Sequence, residues 1–583
     1  MTEPKPLLRR RLVRPFRSTW SAAAVRMIVR QAAIEGFGAP GYQLTLSRPR
    51  TEGFAVAPRD FRPADRTAGR LIAQGRFVFA GASLDAPFPG DPWNRPSPSQ
   101  AFALALHRFD WMRDLTALGE ASAHEALRLS LLWGEIFGRW TPFAWGREVL
   151  SRRVFNLACA GRRMASTTSE AQSAALADLI ARQARHLLRL PDDRGFDSET
   201  TTAAALAGAA LAGEAGDRLI KRALPRLRRA LGRSVHPDGA HASRSPEAGL
   251  ELLLDLLTLD DALNQRGVPT PEEALGAIDR LTQAVRALTL SDGRLACFQG
   301  GEAGSALRVA AALAQVDPEA QPPQSLPEGG YQRLQGRSLT LIADAAAPAR
   351  GPFATRACAQ PLAIEIVCDG DRLITNCGWS PREPERQGFR LTAAGSTVTV
   401  GDGSVLAPLQ GRLAEILGPR LDGPDLRVTA RREAVDGGVL LELAHDGWTP
   451  RYGLNHERLL FLDATTDELR GEDRLNPQEG ARPAALAAPF TLRFHLHPDV
   501  KVAQAADRKS VLLRGPSGRG WWFRNNAAEV SLEAGGWFED GRLRRAAQIV
   551  LRGVARTDAL TRVLWKIAPA GAAPSLKPPE EFS

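Results

Sequence analysis

The densest run of residues able to do chemistry is His236-Pro237-Asp238-Gly239-Ala240-His241-Ala242-Ser243-Arg244-Ser245-Pro246. It carries two imidazoles, a carboxylate and a guanidinium within a single loop, a set that could share acid/base work. A helix N-terminus with an arginine beside it also draws anions. The same residues make an ordinary polar turn, with Gly239 for the bend, Ser245 as cap and Arg244 as surface charge. On spacing alone the turn is the better reading.

A second cluster, His445-Asp446-Gly447-Trp448 followed by Arg451-Tyr452-Gly453-Leu454-Asn455-His456-Glu457-Arg458, brings His, Tyr, Asn and Arg to one strand junction. The chain has 3 tyrosines, Tyr42, Tyr331 and Tyr452, so few residues can act as a phenolic acid. The alternative here is a hairpin loop in which Asp446-Gly447 is the turn and His456 pairs across the sheet. Arg493, His495 and His497 alternate, so they share one strand face; that row reads as a hydrogen-bonded face rather than a metal site. Trp521-Trp522-Phe523 reads as core rather than a sugar platform.

The elements that must position these groups fall into two halves. From about residue 101 to 314, apolar residues recur every three to four positions, as in "SEAQSAALADLIARQARHLLRL" and "SPEAGLELLLDLLTLDDALNQRG". Ser245-Pro246-Glu247 and Thr270-Pro271-Glu272 read as helix starts, with a cap, a proline at the first position and acids in the first turn. Helices of similar length with short joints pack as antiparallel pairs, closed into an α/α toroid or left as an open solenoid. Beyond "VDPEAQPPQSLPEGG" the period changes to alternation, with Asp-Gly and Gly-Asp turns between strands, which predicts stacked antiparallel sheets. The expected division is a basic, irregular arm over 1–98, a helical domain over 99–315, a linker over 316–330, a β-sandwich over 331–570 and a tail over 571–583.

Composition narrows the function classes. The 583 residues, 44% hydrophobic and 24% charged, are ordinary globular usage and enough for two large domains. The net charge of +10 rests on arginine, whose planar fork suits carboxylate, sulfate or phosphate, although arginine-rich codon usage would give the same balance. The aromatic residues are not interleaved with Lys and Arg in a nucleic-acid-reading motif, so no nucleic acid is expected. Five cysteines without a CxxC pair argue against a zinc finger or a disulfide framework. No secretory signal is visible: the basic start reads as an arm, with residues 18–31 an amphipathic helix. Arg9, Arg10, Arg11, Arg14 and Arg17 could then make peripheral contact with anionic lipid, or simply pack on the protein.

Several segments, in this order, resemble the heparinase II/III-like proteins: "LHRFDWMRDL", "HPDGAHASRSP", "GYQRLQGRSLTLIADAA", "HDGWTPRYGLNHERLLFLD" and "RFHLHPDVKV". The resemblance implies an N-terminal α/α toroid followed by a C-terminal antiparallel β-sandwich. It also implies a polysaccharide lyase, a carbon–oxygen lyase acting by β-elimination on acidic, uronate-containing chains without a cofactor. The uronate carboxylate is neutralised, a base removes the C5 proton and an acid protonates the leaving oxygen. Carried over residue by residue, His241 is base or orienter with His236 alongside, Arg244 pairs with the carboxylate, Tyr452 is the acid, and His456 and Asn455 support the substrate. The family's location implies the cell envelope, whereas the absent signal points to the cytoplasm or the inner face of the membrane.

Two departures from the family pattern stand out. Family members commonly carry a histidine early in the sandwich, in a segment like H-A-x-x-L-S-F-E; here it reads Cys358-Ala359-Gln360-Pro361-Leu362-Ala363-Ile364-Glu365. A tyrosine often lies near the RSP segment; here Pro246 is followed by Glu247-Ala248-Gly249. Both changes remove acid/base groups. Two functions follow: a lyase, or an acidic-glycan-binding or envelope polysaccharide-handling protein that has lost the chemistry.

Overall fold

The computed structural model describes residues 17–571 apart from 167, 194, 316–319, 380–385 and 482–484, and leaves the side chains of 17–23 and 26 aside. Arg9, Arg10, Arg11 and Arg14 of the basic arm, the side chain of Arg17, part of the linker and nearly all of the tail lie outside the described residues.

The helical half is a curved double layer, the α/α toroid. Helices Arg147–Ala165, Asp197–Ala210 and Pro246–Arg266 stand side by side on the inside. Each backs onto an outer helix: Glu170–Leu187, Gly213–Ser234 and Glu272–Leu288 respectively. The sequences explain the layers. Gly213–Ser234 buries Leu219, Ala223, Leu227 and Leu231 on one stripe and turns Arg218, Lys221, Arg222 and Arg229 to solvent, the pattern of a surface helix. Asp197–Ala210, "DSETTTAAALAGAA", is buried on every side. Alanine favours the helix without side-chain entropy loss, and Gly208 lets the chain at Gly216 and Ile220 come close: a Cβ there would meet the Ile220 nitrogen at 2.9 Å.

The β half is a sandwich of an eight-stranded and a nine-stranded antiparallel sheet. The first runs from its edge strand Val428–Val435 through Gly438–His445, Leu454–Asp463 and Leu469–Pro477 to Thr561–Pro569 and onward to Lys501–Gln504. The second centres on Arg542–Arg556, Ala487–Leu496, Asp371–Thr375 and Ile364–Cys368. Leucine, isoleucine, valine and aromatic side chains from both inner faces fill the space between them, with Phe523 stacked on Trp565 at 6.1 Å. Asp369-Gly370 makes the expected tight turn, both residues at positive φ.

The halves are not loosely strung. Ala284, Leu288, Leu290 and Phe298 of the helical half share a buried cluster with Leu326, Tyr331, Ile342 and Val367 of the sandwich. Polar bonds reinforce it: Arg372 holds Asp292 through two nitrogens at 2.9 and 3.2 Å and Glu365 at 3.0 Å. Arg333 donates to the carbonyls of Ala287 and Thr289.

Some local expectations need correction. The stretch before residue 99 is less irregular than its prolines suggest. Besides helix Arg17–Glu35, which covers the expected 18–31, and the hairpin Arg76–Phe79 with Ala82–Asp85, it holds helix Arg66–Ala73, capped by Asp65. Ser245 caps its helix as expected, accepting from the Ala248 N–H. Thr270 does not cap: its hydroxyl donates to Asp260 at 2.7 Å, and Pro271 takes the cap position of Glu272–Leu288.

Candidate functional site

The N-termini of the three inner helices converge on one open cleft of about 90 Å³. Arg147, Glu148, Ser151, Arg152 and Phe155 come from the first helix, Glu199 and Ala203 from the second, and Glu247, Ala248, Glu251 and Asp255 from the third. Arg108 and Phe196 add to the wall, and the sandwich contributes Arg356. Arg356 lies on the long connection after strand Leu339–Asp344, just past the short 3-10 turn Gly351–Thr355. Buried Arg390 fixes that connection by donating to the carbonyls of Ala354 and Ala357.

The charges of the cleft are largely answered from within. Helix N-termini present positive dipole ends, but Glu148, Glu199 and Glu247 stand in the first turns and offset them. Asp255 accepts from both forks of Arg152 at 2.8 and 2.9 Å and also from Arg62. Glu251 is held by Arg62 at 3.0 Å and by Arg308. The walls carry 4 arginines and 5 acids, and two of those acids, Glu251 and Asp255, are also paired from behind by Arg62 and Arg308. Glu199 is the exception to tight pairing. Burial raises its carboxyl above the ordinary value, Arg356 opposes this, and Ser198 donates to it at 3.2 Å.

The residues expected from sequence are placed as follows. Arg244 is neither a substrate clamp nor a surface charge; it is a buried fastener, and the substrate role expected for it is corrected. Its guanidinium donates to the carbonyls of Gly329, Gly330, Ala346 and Ala347 at 2.8 to 3.1 Å and to the carboxylate of Asp344. No donor is left over for a ligand. Asp344 also accepts from Gln299 at 2.7 Å, and Tyr331 donates its hydroxyl to the Arg244 carbonyl. The positive φ of Arg244, 63°, is a backbone state that non-glycine residues adopt at a cost, held here by this network.

His236 closes a tight turn, its N–H bonded to the Ala240 carbonyl at 2.9 Å, and does not line the cleft. Gly239 in that turn has φ 85°, and a Cβ there would lie 1.8 Å from the Arg280 carbonyl oxygen. Asp238 accepts from the Gly329 N–H at 2.8 Å. The loop thus fastens the two halves. His241 alone faces the cleft side, in a niche shared with Phe196, Glu199, Ser243, Phe353 and Arg356. Burial drives its pKa down to about 3, with Arg356 and His236 adding to the effect, so its ring is neutral.

Tyr452, His456 and Asn455 do not join it. Tyr452 ends the short helix Thr449–Tyr452 in the sandwich, packed on Trp448 with its hydroxyl over Gly401. Asn455 accepts from Thr449 and donates to Gln478. His456 is wholly buried and pairs across the sheet with His445, ring nitrogens 3.2 Å apart, while its Nε2 meets Asp473 at 2.7 Å. Arg458 and Trp565 complete that network on the same carboxylate. Burial lowers the pKa of His456 against the pull of Asp473. His456 is a buried core group, Tyr452 and Asn455 are half-buried on the sandwich, and none of the three lines the cleft, so the supporting role given to His456 and the acid role given to Tyr452 at one shared site are corrected. Cys358, where the family pattern carries histidine, is buried with its thiol pushed up to about 11.

His495 and His497 serve the core: His495 contacts Cys377 at 3.4 Å and His497 packs on Trp537. Among the described residues no group of three or more His, Cys, Asp and Glu side chains is set to hold a metal. No described helix is long and apolar enough to cross a membrane. Sequence reasoning missed Arg356, Glu199 and the arginines of the cleft. One signal was present: in "SETTTAAALAGAALAG" the acid stands at the start of a helix otherwise apolar all round, and such a helix is enclosed, so its polar end must face an inner opening.

Residues 318–566 match the family model for the heparinase II/III-like C-terminal region. FtsZ-localized protein C of Caulobacter vibrioides (strain NA1000 / CB15N) is 47% identical over 540 residues, covering 92% of this chain and 94% of that protein. Among solved structures, heparinase III aligns with a TM-score of 0.68 at 13% identity, over 95% of this chain and 91% of its own. A mutant of the heparan sulfate lyase HepC from Pedobacter heparinus aligns with a TM-score of 0.57 at 14% identity, over 96% and 91%. The likeness to both structures is one of fold. The chain belongs to the heparinase II/III-like family.

Proposed function

We propose that this heparinase II/III-like chain holds an envelope glycan in the toroid cleft without cleaving it, and that it works where FtsZ assembles. The observation that carries the first part is the state of the groups a β-elimination would need. The arginine expected to neutralise a uronate is spent on four carbonyls and Asp344. The expected sandwich histidine is Cys358, a buried thiol. The 3 tyrosines of the chain all stand away from the cleft wall. Elimination requires a base, an acid and a carboxylate-neutralising group at one place; the residues expected to supply the acid and the neutralising group stand outside the cleft wall. The second part rests on kinship with FtsZ-localized protein C. Peripheral membrane contact through the basic arm fits that location, with Val25, Ile28 and Val29 exposed on the helix that follows it.

The test is the ultraviolet absorbance of unsaturated uronates, followed while the protein is held with heparan sulfate, alginate and polygalacturonate. A flat trace with each is expected. A rising band with any of them would restore the lyase reading.

A further inference from the structure

The positive charge of the chain is not spread evenly over the toroid. Helix Gly213–Ser234 carries seven basic residues and two acids, an excess of 5 that is half of the chain's +10. The neighbouring outer helices do not share it. Glu170–Leu187 balances Arg182 and Arg185 with Glu170 and Asp178, and Glu272–Leu288 sets Arg280 and Arg286 against Glu272, Glu273 and Asp279. Arginine-rich codon usage would raise all three helices alike. The crowding also works against the helix itself. Arg222 has Arg218 and Arg226 four residues to either side, a like-charge spacing that destabilises a helix.

Four of the seven are answered locally. Arg218 pairs with Glu214, Arg226 donates to Asp192 at 3.0 Å and to the Leu188 carbonyl, Arg228 meets Glu273 at 3.0 Å and Arg233 meets Asp197 at 3.0 Å. The two acids of the helix are taken as well, Glu214 by Arg218 and Asp217 by Arg266 at 2.9 Å. Lys221, Arg222 and Arg229 are exposed and have no acidic partner among the described residues. Arg229 reaches only the Pro225 carbonyl of its own helix, at 3.4 Å. Arg222 and Arg229 stand two turns apart, about 10 Å along the axis, with Lys221 beside the first. Carboxylates spaced by three residues on an extended chain, also about 10 Å, meet both. No large apolar side chain of this helix is exposed, in contrast to Val25, Ile28 and Val29 on helix Arg17–Glu35. A lipid surface takes up apolar side chains as well as charge; a stripe of charge alone fits an acidic polypeptide better.

Independently of the glycan-holding reading above, we infer that the outer face of helix Gly213–Ser234 docks an acidic segment of a partner protein through Lys221, Arg222 and Arg229. The test is the fluorescence anisotropy of a short labelled polyglutamate titrated with the intact chain. The wild type is expected to bind it, and to bind more weakly as salt is added. The triple variant Lys221→Glu, Arg222→Glu, Arg229→Glu should lose at least about tenfold in affinity at unchanged melting temperature, because three attractions become repulsions. A control triple variant on the sandwich, Lys501→Glu, Lys509→Glu, Arg514→Glu, changes the net charge equally at exposed positions and should lose less than about twofold. Equal losses from the two triple variants would leave only net charge at work and overturn the inference, as would full affinity in the helix variant. Vesicles containing phosphatidylglycerol, titrated in parallel, are expected to bind both triple variants alike. Selective loss of vesicle binding by the helix variant would give the stripe to a lipid surface and overturn the inference as well. None of these outcomes bears on the cleft.

Discussion

At the scale of the residue, arginine is the side chain that reads most differently in sequence and in structure. Arg244 stands in a motif whose likeness to lyases suggests substrate contact, and nothing in "HASRSP" reveals that its partners are carbonyls about a hundred residues away. Sequence spacing reports neighbours along the chain; burial against a second domain lies outside it. His456 is the opposite case, since pairing across the sheet was one of its two sequence readings and the strand register supplies His445 as the partner. Arg244→Ala is expected to lower stability by about 3–5 kcal/mol, because it leaves Asp344 buried and unpaired. Arg244→Lys should rescue little, since an ammonium cannot reach acceptors spread over a planar fork. Urea unfolding of the two variants measures both effects. A variant with wild-type stability and altered glycan affinity would return Arg244 to the binding site.

Histidines set the response to acid. Burial lowers the pKa of His107 to about 4, His186 and His241 to about 3, and His495 and His497 to about 4. In the unfolded chain these rings take up protons from about pH 6.5 downward, while in the folded protein they stay neutral. The unfolded state then binds more protons, so stability is full above about pH 6.5 and falls as the pH drops toward 3, each ring adding a slope of up to about 1.4 kcal/mol per pH unit. Asp114, raised to about 6 by burial, works in the other direction between about pH 4 and 6. The histidines outnumber it, so the denaturant midpoint at pH 5.5 is expected below that at pH 7.5. An unchanged or higher midpoint at pH 5.5 would contradict the burial of these rings.

At the scale of the element, the periodic segments were legible and the connections were not. Apolar spacing marks the paired helices, and alternation with Asp-Gly turns marks most strands of the sandwich. Strand Glu529–Glu539 escaped because "EVSLEAGGWFE" breaks alternation with two glycines, and helix Arg66–Ala73 lies between prolines. The connection that delivers Phe353 and Arg356 to the cleft has no pattern of its own; its position comes from buried Arg390. Arg390→Ala should therefore weaken saccharide binding as well as stability, and hydrogen exchange should rise at residues 351–357 before it rises in the sheets. Exchange that rises evenly through the sandwich would show that Arg390 holds the core and not the connection.

At the scale of the whole molecule, the fold is that of a lyase family and the surface between its halves is built to stay closed. The apolar cluster around Leu288 and Tyr331, with Arg244, Arg333 and Arg372 crossing it, packs the toroid against the sandwich. We expect one cooperative melting transition for both halves. The cleft at the inner-helix N-termini is the opening that this frame presents. The most direct measurement is a crystal structure of the chain with a heparan-type tetrasaccharide, which carries both carboxylate and acetamido groups. The account predicts an intact sugar chain lying in the cleft, with every glycosidic bond unbroken. A cleaved product with an unsaturated end, or a sugar bound at Tyr452 with the cleft empty, would contradict it.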